Sequence, residues 1–237
     1  MTHPQRFLDR TQAGLALAAR LAAYAGRDDV IVLALPRGGV PVGVAIAAAL
    51  HVAFDVLVVR KLGLPWQPEL AMGAVAGGGL RVLEPEVVGA LRLEPAVIEA
   101  ATVLALAEVA RRERRYRGGR PPPCLDGRVV LLVDDGVATG ATMRVAVQMA
   151  RQAGAAKIVA AVPVCPRETL PVVRAQVDHC ICLRTPHPFG AVGMWYEHFE
   201  QLSDEQVEQL IAGRLDAGVG HRPRVGHHGR RRADARR

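Results

Sequence analysis

Apolar residues fall along this chain in two alternating rhythms. Blocks at 30–35, 54–59, 129–133, 157–164 and 179–183 are almost continuously apolar and rich in Val and Ile, which reads as short strands buried in a sheet. Between them the apolar positions recur at helical spacing. Residues 9–24 predict a helix with Leu15, Ala18, Ala19 and Leu21 as core contacts and Gly26 as its stop. Residues 40–50 predict a second. Residues 143–153 place Val145, Met149 and Ala153 along one side, with Gly154 at the end. Further helices are expected over 167–177, despite Pro171, and over 203–215, where Ser203 and Gln206 match a capping box. Strand alternating with helix is the pattern of an α/β protein, a doubly wound parallel sheet covered on both faces.

The stretch 64–123 interrupts that alternation. Residues 69–75 and 80–83 flank Gly77, Gly78 and Gly79 and suggest a hairpin or mobile flap. Residues 94–117 then predict a helix, with Pro95 in its first turn and Gly118 and Gly119 at its end. Its basic run, Arg111 to Arg117, reads as a solvated helix end complementing the dipole, with a pyrophosphate or nucleic acid as the sharper alternative. The expected organisation is one domain over 1–213, with 64–123 as insertion and 184–213 as a small hood and final helix, then a basic tail over 214–237.

Half of the 237 residues are hydrophobic, enough for one large core. The net charge of +7 belongs to the tail: 214–237 holds eight Arg and two Asp, so the remainder carries only +1. The segment 218–237 is expected to be disordered, a solubilising extension before it is a site for RNA or DNA phosphates. Cys124, Cys165, Cys180 and Cys182 form no C-x-x-C pair and read as free thiols in a reducing compartment. With no signal-peptide pattern and no apolar run of membrane-spanning length, a cytoplasmic protein without membrane contact is expected.

Chemistry concentrates in 129–142, VVLLVDDGVATGAT. A buried strand ends in two carboxylates, Asp134 and Asp135. A loop of small and hydroxyl residues follows (Gly136, Val137, Ala138, Thr139, Gly140, Ala141, Thr142) and opens a helix. Loop amides and a helix N-terminus suit a phosphate, whereas carboxylates repel one and suit sugar hydroxyls. Together they point to a phosphorylated sugar. The strand at 30–35 likewise runs into Pro36-Arg37-Gly38-Gly39, a second anion-shaped turn with a fixed positive charge. Arg60 and Lys61 follow the strand at 54–59, at the sheet edge where open α/β folds bind ligands. A P-loop lysine and a G-x-G-x-x-G are both absent from these loops, which disfavours nucleotide triphosphatases and dinucleotide folds.

The stretch 129–142 resembles the phosphoribosyl pyrophosphate (PRPP) motif of the type I phosphoribosyltransferases, and 36–39 resembles that family's pyrophosphate loop. The resemblance implies that Asp134 and Asp135 hold the ribose hydroxyls. It places the 5′-phosphate on the loop from Gly136 through Ala138, Thr139, Gly140, Ala141 and Thr142, and the pyrophosphate on Arg37, Gly38 and Gly39 with Arg60 and Lys61 nearby. It also implies a cis Pro36–Arg37 peptide, magnesium on the donor with Asp134 and Asp135 as possible ligands, a mobile loop that excludes water, and a homo-oligomer. The segment 184–199 resembles the purine-binding end of hypoxanthine-type members, which would put Phe189 on the acceptor ring with Trp195 and Glu197 beside it. One departure matters: where those members carry a loop Asp as candidate base, this chain has Ala138, as the adenine and orotate branches do. The implied activity is phosphoribosyl transfer to a nitrogenous base or related small nucleophile. A PRPP-sensing regulator that binds nucleic acid is the alternative.

Overall fold

In a computed structural model the described residues are 6–219. Five parallel strands form the central sheet: β1 (Val30–Ala34), β2 (Ala53–Val56), β6 (Val129–Val133), β7 (Lys157–Val164) and β8 (His179–Arg184), in the order β2-β1-β6-β7-β8. Alternate residues of each strand face opposite layers. Val30, Val32, Ala34, Leu131 and Val133 face one layer, packed on α1 (Arg10–Arg20), α2 (Gly39–Leu50) and α7 (Asp204–Val219). Ile31, Leu33, Val130 and Leu132 face the other, packed on α5 (Ala141–Gln152) and α6 (Leu170–Arg174). Burial on both faces is why these strands read as unbroken apolar runs.

The remaining strands, β3 (Val59–Leu64), β4 (Gln67–Ala76) and β5 (Arg81–Leu83), form a separate antiparallel sheet. It is followed by α3 (Pro85–Ala90), which the sequence did not suggest, and the long α4 (Pro95–Arg117). The single strand expected over 54–59 is therefore two strands in two sheets. Leu57 and Val58, buried at 8% and 2% exposure, cross between them, and a continuous apolar run does not distinguish one strand from two buried pieces.

Helical phase needs two corrections. In α1 the buried stripe is Ala13, Gly14, Leu17 and Ala18, while Leu15 and Ala19 face outward. Small residues make that stripe because α1 lies close on α2: a Cβ on Gly14 would come within 2.6 Å of the Val42 carbonyl oxygen. Helix α6 begins at Leu170 rather than 167, since Pro171 is suited to a first turn and not to an interior. The Ser203–Gln206 box is present: Gln206 N donates to Ser203 Oγ at 3.3 Å, and Ser203 N to Gln206 Oε1 at 2.8 Å. Of the stretch expected to be disordered, 218–237, residues 218 and 219 belong to α7 and the rest lie outside the described residues. Arg214, assigned to the tail, instead donates from Nη2 to the carbonyls of Ala47 and Val52 at the end of α2.

The basic end of α4 is divided: Arg111 and Arg114 are exposed on the helix, as expected of a solvated end, whereas Arg115 and Arg117 turn to other elements. Arg111 and Arg112 bond Glu108, and Arg115 pairs with Asp204, Glu205 and Glu208 of α7. The Tyr116 hydroxyl donates to Asp204 Oδ1 at 2.6 Å, and burial with that carboxylate pushes its pKa up to about 12. Arg117, 4% exposed, meets Asp55 at 2.9 Å, Glu113 at 2.7 Å and the Val56 carbonyl at 2.8 Å. It ties α4 to the end of β2. Arg117→Met would leave two carboxylates buried without their cation, a loss of about 3–5 kcal/mol. At roughly 2–4 °C per kcal/mol for a domain of this size, a fall in Tm of about 6 °C or more in a thermal melt is expected.

Candidate functional site

Strands β1 and β6 are neighbours, yet the chain leaves them in opposite directions, β1 toward β2 through α2 and β6 toward β7 through α5. The crevice at such a topological switch point is where open α/β sheets bind ligands. Both motif loops open there. They touch so closely that side chains are excluded. A Cβ on Gly38 would lie 2.0 Å from Asp135 Oδ2, and one on Gly39 would lie 2.7 Å from the Val133 carbonyl oxygen and 2.9 Å from Asp134 Cα. The Pro36–Arg37 peptide is cis. Arg37, Gly38 and Asp135 line one cavity of about 290 Å³ together with Arg10, Phe199, Gln201 and Leu202.

The phosphate-shaped loop is fixed near its start. Val137 N donates to the Val164 carbonyl at 2.9 Å, and Thr169 Oγ1 donates to the Ala138 carbonyl at 2.9 Å. Gly140 adopts φ 80° as it enters α5, where among the described residues no side chain other than Thr139, at 3.4 Å from Ala141 N, hydrogen-bonds the first amides. The unpaired amides of a helix N-terminus are donors for an anion. Ala138, Thr139 and Thr142 are exposed, and Gly140 and Ala141 half-buried. Gly136 is covered by the hood, where Val192 Cγ1 would lie 2.5 Å from an added Cβ.

Two carboxylates side by side at a buried strand end repel each other. Burial, then the charge of Asp135, pushes the Asp134 carboxyl well above the ordinary range, while Asp134 Oδ1 accepts from Asp135 N at 2.9 Å. Burial also raises Asp135, opposed by the Arg10 guanidinium, whose Nε donates to Oδ2 at 2.9 Å. The Tyr196 hydroxyl donates to the Asp135 carbonyl at 2.5 Å. Arg10 in turn stacks on Phe199 at 3.8 Å, and Phe199 on Tyr196 at 4.9 Å between centroids.

The sequence model of the phosphoribosyl transferase domain matches residues 8–198. A Mycobacterium tuberculosis (strain CDC 1551 / Oshkosh) protein, named only provisionally as a phosphoribosyl transferase, is 48% identical over 222 residues, 90% of this chain and 50% of its own length. The chain belongs to the phosphoribosyl transferase domain family. It spans about half the length of the curated relatives it matches. The crystal structure of TT1426 from Thermus thermophilus is 40% identical with a TM-score of 0.78, covering 88% of this chain and 98% of that one.

Not every expected residue of this phosphoribosyl transferase domain converges on the crevice. Arg60 and Lys61 lie within β3 of the antiparallel sheet, not at the end of a core strand. They line a separate cavity of about 640 Å³ with Pro65, Ala100 and Leu104. Phe189, Trp195 and Glu197 line a third, larger cleft of about 1190 Å³ with Arg6, Arg184 and His187. There Phe189 and Trp195 are largely buried with Phe7 and Tyr196, and Trp195 Nε1 donates to the Phe189 carbonyl at 3.1 Å. Sequence reasoning missed Arg10, Tyr196 and Phe199. The two aromatics stand in the stretch already singled out, whereas Arg10 lies 125 residues from Asp135 in a helix that carried no chemical signal.

No helix among the described residues is long and apolar enough to cross a membrane. No group of three or more His, Cys, Asp or Glu among them could hold a metal.

A carboxyl whose pKa is raised by folding contributes stability below its unfolded pKa and loses it as pH rises through the folded value. Asp134 therefore costs stability at neutral pH. Asp134→Asn keeps an oxygen for Asp135 N and removes the buried charge, so Tm at pH 7 is expected to rise. The gap between variant and wild type should narrow as pH falls toward about 4, the ordinary range of an Asp carboxyl, as followed by thermal melts across pH.

Proposed function

We propose that this chain is a PRPP-dependent phosphoribosyltransferase acting on a nitrogen nucleophile. The observation that carries the reading is the contact of two loops across β1 and β6. It sets the anion-shaped turn at Arg37, Gly38 and Gly39 against the carboxylates Asp134 and Asp135. A pyrophosphate on the turn, a 5′-phosphate on Gly136–Thr142 and ribose hydroxyls on the carboxylates describe one molecule.

In the reaction the bond between the ribose anomeric carbon and pyrophosphate oxygen breaks, the oxygen keeping the electron pair. A bond from the acceptor nitrogen forms on the opposite face, and the acceptor loses a proton. Positive charge develops on the ribose as the bond lengthens, beside Asp134 and Asp135, while negative charge develops beside Arg37 and the amides of Gly38 and Gly39. Holding the donor rigidly between the two is the protein's main contribution. Magnesium fits as a companion of the donor: two carboxylates with phosphate oxygens and water meet its preference for oxygen ligands. It would offset charge on the departing pyrophosphate. Ala138 offers no base, so the acceptor's proton leaves to another group or to solvent.

Arg115 and Arg117 are engaged by carboxylates of α7 and β2, which weakens the case for the basic end of α4 as a nucleic-acid surface. Calorimetric titration of PRPP with magnesium is expected to show binding by the wild type and at least a tenfold weakening in Asp134→Asn/Asp135→Asn, since each charged hydrogen bond contributes about 1.5–3 kcal/mol. Pyrophosphate release in a screen of bases would then identify the acceptor. Binding without release on any base would favour the sensor, and absence of binding would end both readings.

A further inference from the structure

Arg10 comes from the first turn of α1, far in sequence from either motif loop, and yet it lines the donor-site cavity with Arg37, Gly38 and Asp135. Its guanidinium is held on three sides. Nε donates to Asp135 Oδ2 at 2.9 Å, Nη1 to the Glu200 carbonyl at 3.0 Å, and its face lies 3.8 Å from the Phe199 centroid. Only 11% of the side chain is exposed. The turn that carries it is pinned in turn: Phe7 N donates to Trp195 O, Glu197 N to Phe7 O, and His198 N to Leu8 O, all within 2.9 Å. Arg10 is thus built in, with its orientation set by both α1 and the hood.

We propose that Arg10 is a positioning residue for the ribose, acting through Asp135; the inference rests on the PRPP reading above. A carboxylate has about four acceptor positions on two oxygens. Arg10 takes one, on Oδ2, and Oδ1 accepts no hydrogen bond among the described residues. The arginine therefore fixes the rotamer of Asp135 and balances its charge while leaving oxygen for a sugar hydroxyl. A planar cation with several fixed donors, stacked on an aromatic ring, suits that task, and a lysine cannot reproduce its geometry. Arg37 serves the pyrophosphate; Arg10 serves the sugar.

The test separates those two halves of the donor. PRPP, ribose 5-phosphate and inorganic pyrophosphate are titrated calorimetrically, each with magnesium, into wild type, Arg10→Ala, Arg10→Lys, Asp135→Asn and Arg10→Ala/Asp135→Asn. Arg10→Ala is expected to weaken PRPP and ribose 5-phosphate about tenfold or more and leave pyrophosphate within about twofold. The double variant should bind no more weakly than Asp135→Asn, because residues acting as a unit are not additive. Should Arg10→Ala fail to fold, Arg10→Lys must show the same selective loss for the two ribose-bearing ligands. Equal weakening of all three ligands, or unchanged or tighter PRPP binding, overturns the proposal and leaves the transferase reading standing. A wild type that binds none of the three overturns both.

Discussion

Two adjacent, largely buried carboxylates at the end of a core strand are the constraint on which the neighbourhood of this crevice depends. Charges of one sign at that separation in a low dielectric are costly, and the fold keeps them by surrounding them. Arg10 supplies a cation, Tyr196 holds the backbone of Asp135, and the Asp135 amide satisfies Asp134. The turn after β1 then lies so near that a side chain at Gly39 would meet the backbone of β6, and one at Gly38 would displace the Asp135 carboxylate. The same strand end that would be most stable with a neutral residue carries the groups on which the proposed chemistry rests, a trade of stability for function.

The parallel sheet was legible because its strands are buried on both faces. Val129 to Val133 and Lys157 to Val164 could hardly be anything else, and their bounds agree with the structure. The motif loops were legible because their chemistry is local: a carboxylate pair, a glycine turn and a helix start all fall within fourteen residues. Where the chain is rich in alanine, helical phase was not. Leu15 looked like a core residue in α1, but the stripe that meets α2 is made of Ala13, Gly14, Leu17 and Ala18. Arg60 and Lys61 were misplaced for a different reason, since the bend at Leu57 and Val58 moves them to another sheet without interrupting the apolar run.

What single-sequence reading could not supply was pairing at a distance. Arg10 with Asp135, Arg115 with three carboxylates of α7, and Arg117 with Asp55 each join segments that share no local pattern. The basic end of α4 shows the hazard. By composition it invites a phosphate or nucleic acid, yet in the fold two of its charges, Arg115 and Arg117, hold the insertion to α7 and β2. A run of arginines becomes interpretable only when its carboxylates are found.

The backbone pairing of residues 7–8 with 195–198 has a further consequence, for the order in which the molecule is assembled. Arg10 and its Glu200 partner stand 190 residues apart. A ribosome releases the first long before the second exists, and contacts of such wide separation form late. The β1, β6 and α5 scaffold has its full set of strand partners well before that. During synthesis the acidic pair therefore waits in a nearly complete sheet, without the hood that closes over it, until the segment around Phe199 emerges. The crevice is completed only after the strands on which it rests.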